Sequence, residues 1–196
     1  MQKDIYYKSK LKLFIKNMVS IRCKMVVTSE LEKLGLQFKT INLGEVEITD
    51  DLSEENKNLL NINLKKSGLS LIEDKKGILV EKIKNSIIEL VHYSENQLNI
   101  NFSDYLSQKL NYDYTYLANL FSEHQNTTIE HYFLSHKIEQ VKELLVYDEL
   151  NITEIADRMH YSSVAHLSNQ FKKMTGLTPS AYKHLKVKKR KPLEKV

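Results

Sequence analysis

Asn151-Ile152-Thr153-Glu154-Ile155-Ala156-Asp157-Arg158-Met159-His160-Tyr161, continuing through Gly176-Leu177-Thr178-Pro179 to Tyr182, is the stretch that decides the fold. Thr153 is placed to cap a short helix in which Ile155, Ala156 and Met159 recur at helical spacing. After a break at His160-Tyr161-Ser162-Ser163, a second helix carries Val164, Leu167 and Phe171 along one face. Its other faces hold Ala165, His166, Ser168, Asn169, Lys172 and Lys173. Gly176 stops that helix where a left-handed residue is wanted, and Pro179 opens the next at a position that tolerates it. Two short helices joined by a break of three to four residues form a helix-turn-helix. The second presents a small, polar, lysine-tipped face that suits a DNA groove.

The pattern occurs once more, fifty residues earlier and without a gap. Asn101, Leu117, Asn119, Phe121, Thr128 and Tyr132 recur as Asn151, Leu167, Asn169, Phe171, Thr178 and Tyr182. Asn126 stands where Gly176 stands, and these two residue types tolerate positive φ best. The identities fall on caps, core and helix stop, so the repeat is a structural duplication. Between the copies, Ile129 to Tyr147 reads as one helix with Ile129, Phe133, Ile138, Val141, Leu144 and Leu145 along its buried side. It spans about 30 Å, against roughly 34 Å for one turn of DNA. Such a rod would set two recognition helices into successive major grooves.

Taken together, Ile155-Ala156, Tyr161-Ser162, Leu167-Ser168-Asn169-Gln170-Phe171-Lys172-Lys173, Gly176-Leu177-Thr178-Pro179 and Tyr182-Lys183 resemble the C-terminal domain of the AraC/XylS family of bacterial transcription regulators. The resemblance covers roughly residues 98–186. It implies a double helix-turn-helix that binds double-stranded DNA and, in most members, activates transcription by contacting RNA polymerase. This chain departs from the pattern in having His160-Tyr161 for Gly-Phe, Leu167 for Phe, and Lys137 and Lys183 for Arg. None of these changes puts a charge into the core, but loss of the glycine is expected to alter the turn before the second recognition helix.

The chain has 196 residues, enough for two small domains, and a net charge of only +4. Its distribution says more. Residues 97–150 hold three Lys/Arg against eight Asp/Glu, a net of −5, and residues 151–196 hold ten against three, a net of +7. Much of that excess lies between Lys183 and Lys195, in a tail that reads either as a solvated end or as a phosphate-binding arm. Neutralising backbone phosphates supplies most non-specific affinity. The second helix-turn-helix should therefore anchor the protein and the acidic first copy should bind weakly. No apolar run approaches membrane-spanning length, no signal core opens the chain, and one cysteine excludes an internal disulfide, so a cytoplasmic protein without membrane contact is expected.

Ahead of the duplication, Leu11 to Met18 suggests a strand and Cys23 to Leu34 a helix stopped by Gly35. Gln37 to Leu43, the turn at Gly44, and Glu45 to Thr49 suggest a hairpin. Ser53 caps a helix from Glu54 to Lys66, and Leu69 to Ile72 is a last short strand. The order βαββαβ predicts an α+β ferredoxin-like sandwich over residues 1–76. Residues 77–96 then form a connecting helix and linker whose wide apolar stripe can dock within the chain or pair with its copy in a homodimer. The all-α domain with two helix-turn-helix units joined by a long helix occupies residues 97–186, and the basic tail residues 187–196.

With Asn17-Met18-Val19-Ser20-Ile21-Arg22-Cys23 between its first strand and first helix, the N-terminal part is similar to heavy-metal-associated domains. Those carry Gly-Met-Thr-Cys-x-x-Cys there, so Ser20 falls on the first metal cysteine and Cys23 on the second. Cys23 is thus the candidate metal ligand, although a soft-metal clamp needs two thiolates. A single Cys at a helix start otherwise serves as a small buried hydrophobe. The domain is expected to serve in dimerisation or in sensing a small effector or a metal, and no cofactor is implied.

By their place in the motif, the groove-facing residues are Tyr114, Thr115, Tyr116, Ala118 and Asn119 in the first copy. In the second they are Val164, Ala165, His166, Ser168 and Asn169. Arg-to-guanine contacts are not available, since the only arginines are Arg22, Arg158 and Arg190. Asn reads adenine, and small apolar groups meet thymine methyls, so an A·T-weighted site is expected. Both asparagines could instead contact phosphate or cap and solvate the helix. Ser162, Ser163, Lys172, Lys173 and Thr178 are placed for phosphate. An enzyme is not expected: the seven histidines are never three or four apart, and no P-loop, GxSxG or Gly-rich dinucleotide turn is present. The competing expectation is a metal-binding or interaction module that keeps a DNA-binding fold without reading DNA.

Overall fold

The computed structural model describes residues 11–94, 100–147, 149–185 and Leu193. The end of the linker at residues 95–96, the first residues of the helical domain at 97–99 and most of the basic tail lie outside the described residues. The chain forms two compact units, Met1–Asn85 and Ser86–Val196.

In the first unit, strands β1 (Leu11–Lys16), β2 (Phe38–Asn42), β3 (Glu45–Ile48) and β4 (Ser70–Ile72) form an antiparallel sheet in the order β2-β3-β1-β4. Helix α1 (Ile21–Lys33) joins β1 to β2, and α2 (Glu54–Lys66) joins β3 to β4. Period-two alternation turns Leu13 and Ile15 of β1 inward, where they meet Val27 and Leu31 of α1 and Leu60 and Leu64 of α2 in one core. The Leu43-Gly44 turn closes the hairpin. Gly44 sits at φ 76°, and a Cβ there would lie 2.1 Å from Asn85 Nδ2, so the turn needs glycine for backbone and space alike. The strands and helices fall where the apolar spacing puts them, with ends shifted by one or two residues; Ser53 caps α2 by accepting from the Asn56 N–H.

The expected connecting helix is two structures. Helix α3 (Lys75–Ile88) is followed by a π-helical turn, Glu89–Tyr93, in which His92 hydrogen-bonds Gln140 Oε1 at 2.6 Å and His136 Nδ1 at 3.2 Å. The boundary between the two units falls inside α3, after Asn85.

The second unit is helical: α4 (Phe102–Leu110), α5 (Tyr114–Gln125), α6 (Ile129–Tyr147), α7 (Ile152–Arg158), α8 (Val164–Thr175) and α9 (Pro179–Lys183). One core joins Ile138, Val141, Leu144 and Leu145 of α6 to Ile155, Leu167, Phe171 and Tyr182. Thr153 does not cap α7. Asn151 does, accepting from the Thr153 and Glu154 N–H groups, while the Glu154 carboxylate accepts from the Asn151 N–H at 2.7 Å. That reciprocal capping box satisfies more orphan donors than a threonine two residues later could. Among the described residues, no helix is long and apolar enough to cross a membrane.

Candidate nucleic-acid interface

The duplication holds at the level of individual contacts. Phe121 and Phe171 are both fully buried. Phe121 meets Tyr132 edge-on at 5.4 Å between ring centroids, and Phe171 meets Tyr182 likewise at 5.5 Å. Thr128 accepts from the His131 N–H at 3.1 Å, and Thr178 from the Ala181 N–H at 3.2 Å. The stops match too, since Asn126 (φ 53°) and Gly176 (φ 80°) are both left-handed. Each copy is thus a helix pair closed by a third helix that delivers a tyrosine onto the phenylalanine of the second.

This packing decides what α5 and α8 show to solvent. Leu117 and Leu167 point into the core, Tyr114, Val164, Ala118 and Ser168 are half-buried, and Thr115, Tyr116, Asn119, Ala165, His166 and Asn169 are exposed. Every groove-facing candidate therefore sits at the boundary of the core or outside it. Asn119 and Asn169 cap nothing, because Asp113 caps α5 and Ser163 caps α8. Two candidates are already engaged within the protein. The Tyr114 hydroxyl donates to Glu130; burial and that bond hold the phenol well above its ordinary range, and the bond, against burial, holds the carboxylate below its own. His166 Nδ1 lies 3.0 Å from Ser162 Oγ, and its ring stands edge-on to Tyr161. A hydrogen bond from Ser162 to Nδ1 would leave Nε2–H as the outward donor.

Lys172 and Lys173 are exposed in the last turn of α8, where the helix dipole also favours cations. Ser163 and Thr178 spend an oxygen lone pair on capping but keep a hydroxyl proton to donate. In the first copy the positions of Lys172 and Lys173 are Ser122 and Glu123. The imbalance of charge therefore reaches the recognition faces themselves.

Sequence spacing did not reveal the anchoring of the two turns. In the second, His160 takes φ 54°, a left-handed backbone at the position where the resembling family carries glycine. Tyr161 follows it into the core, with the Lys137 ammonium 4.1 Å from its ring centroid. Burial lowers the Lys137 pKa to about 8 and raises that of the Tyr161 phenol. Left-handed backbone costs a residue bearing a Cβ about 1–2 kcal/mol, somewhat more than the extra unfolded-state entropy of glycine. His160→Gly is therefore expected to stabilise the second unit by roughly 0.5 kcal/mol. A denaturation midpoint that fell instead would refute this account of the turn. In the first copy the left-handed residue is Asn111 (φ 58°), with Tyr112 after it and one residue fewer before the next cap. The Asn-Tyr-Asp triplet was the available signal, because Asn favours that conformation and Asp caps helices.

In the N-terminal unit Ser20 and Cys23 come together without making a metal clamp. Ser20 Oγ lies 3.3 Å from Cys23 Sγ and caps α1 by accepting from the Cys23 N–H. One thiol and one hydroxyl do not fit a soft ion, and no group of three or more His, Cys, Asp or Glu among the described residues could hold a metal.

Residues 106–184 match a family model described as a helix-turn-helix domain, and they form a helix-turn-helix domain of the AraC type. A curated relative is the uncharacterized HTH-type transcriptional regulator YtdP of Bacillus subtilis (strain 168), 25% identical over 107 residues. That match takes in 54% of this chain but only 14% of the relative. Among solved structures, the chain is similar to the C-terminal domain of AraT, a response regulator from Geobacillus stearothermophilus. That similarity has 26% identity and a TM-score of 0.48, over 56% of this chain and 87% of that one. It is also similar to the C-terminal domain of the two-component response regulator yesN from Fusobacterium nucleatum. There the identity is 28% and the TM-score 0.46, over 53% of this chain and 99% of that one.

Proposed function

We propose that this chain is a DNA-binding transcriptional regulator whose α5 and α8 enter successive major grooves of an asymmetric site. The observation that carries this is the matched exposure of the two helices, with Leu117 and Leu167 inward and Thr115, Tyr116, Asn119, Ala165, His166 and Asn169 outward. A buried face that repeats in register with an exposed polar one is what a duplicated groove reader requires. Helix α6, with 19 residues and a length of about 30 Å, supports a spacing of one DNA turn.

The base contacts are assigned to Asn119 and Asn169 on adenine, with Ala118 and Ala165 against thymine methyls, so the site is A·T-weighted. Lys172, Lys173, Ser163 and Thr178 hold the backbone. The regulator acts mainly as an activator through RNA polymerase. The N-terminal unit is a ferredoxin-like sandwich that senses a small effector or dimerises; its element order and the strand order β2-β3-β1-β4 support that reading. Selection of bound sequences from random duplexes at low salt tests the DNA-binding part of the proposal. Two A·T-weighted half-sites about one turn apart are expected. A G-rich consensus would overturn the adenine assignment, and failure to bind any duplex would overturn the function.

A further inference from the structure

We infer that Tyr112 and Tyr116 determine specificity in the first half of the site, by packing their rings on thymine 5-methyl groups. The inference rests on α5 being a groove helix, as proposed above. The two turns lead to different ends. In the second copy Tyr161 sinks into the core, and His166 packs edge-on against it. In the first copy the shorter turn leaves Tyr112 on the surface, 48% exposed, with its ring stacked on Tyr116, itself 46% exposed. The centroids are 5.6 Å apart and the planes 23° from parallel. Asp113, between them in the chain, fixes the start of α5 by accepting from the Thr115 and Tyr116 N–H groups. Two large rings are therefore preordered at the leading end of a recognition helix, which lowers the entropic cost of using them.

Charge narrows what they can meet. With Ser122 and Glu123 where the second copy has Lys172 and Lys173, this face has little means of neutralising phosphate. Its affinity must come from the base edges, and the apolar feature there is the thymine methyl.

The test uses the full chain and the duplex it selects, against the same duplex with each thymine of the first half-site replaced by uracil, which removes the methyl alone. Wild type is expected to lose about fourfold in affinity per contacted methyl. Tyr116→Ala should bind the thymine duplex more weakly and be about fourfold less sensitive to the replacement than wild type, because Tyr112 and Ala118 still meet their own methyls. Tyr116→Phe should keep full methyl sensitivity, since the ring and not the hydroxyl makes the contact. The dependence on salt should be the same for all three. Equal binding of both duplexes by wild type, or a methyl sensitivity in Tyr116→Ala as large as that of wild type, overturns the inference. So does Tyr116→Ala with undiminished affinity, which would assign the stacked pair to a protein partner. Wild type that binds neither duplex defeats the parent proposal, and that outcome is distinct from the other three.

Discussion

Phe171→Ala is expected to cost the second unit about 3–5 kcal/mol and to abolish binding by the second helix-turn-helix. The ring is fully buried and is clamped between α6 and the Tyr182 ring of α9. Truncation removes the transfer free energy of the ring and leaves a cavity that rigid neighbours fill poorly. A domain has only about 5–15 kcal/mol of stability to lose. Phe121→Ala should cost a similar amount in the first copy, where the same ring meets Tyr132. Tyr116→Ala, exposed on the same helix, should stay within about 0.5 kcal/mol of wild type. Chemical denaturation followed by a probe in the second unit measures all three. A Phe171→Ala cost below about 1 kcal/mol would show that the duplicated aromatic pair does not hold the unit together.

Removing both lysines of α8, as Lys172→Ala/Lys173→Ala, is expected to leave stability nearly unchanged and to weaken DNA binding on the order of 50-fold at 0.1 M salt. Each phosphate contact contributes about 0.9 to the slope of log affinity against log salt, so the slope should fall by about 1.8. Sequence preference should survive, because the phosphate contacts proposed for these side chains position the helix without reading bases. The reciprocal change, Ser122→Lys/Glu123→Lys, should steepen the slope and tighten binding by adding two cations and removing an anion from the first copy. Titrations at several salt concentrations decide the matter. A slope unmoved by either double substitution would mean that neither pair faces the backbone.

A weak-first, strong-second arrangement, as proposed, would have a mechanical consequence. A copy that grips through charge finds DNA quickly and holds many sequences, whereas a copy with little phosphate contact adds energy only where the bases match. The second helix-turn-helix would then supply residence and the first discrimination. On that division of labour, Tyr112, Tyr116 and Asn119 carry more of the specificity than their counterparts in the second copy.

Much of this was legible in the residues alone. Helix α6 runs from Ile129 to Tyr147 as its apolar spacing requires, and Asn126 and Gly176 stop their helices because few other residues accept left-handed backbone. The repeat of Leu, Phe and Tyr at fixed offsets was enough to place the core of both copies, since burial of large apolar groups is the dominant local demand. Other features were hidden because they depend on competition between near neighbours. Asn151 displaced Thr153 as the cap of α7 through its reciprocal bond with Glu154, a pairing that exists only once the chain has turned.

The sequence by itself determined the duplication, the charge asymmetry and the identity of the two outward faces, because periodicity and composition are properties of the chain. Only the tertiary structure decided which tyrosine of the two turns is buried. One residue of difference in turn length carries Tyr161 beneath Lys137 and leaves Tyr112 in solvent against Tyr116, and a linear pattern does not record where a side chain finds room.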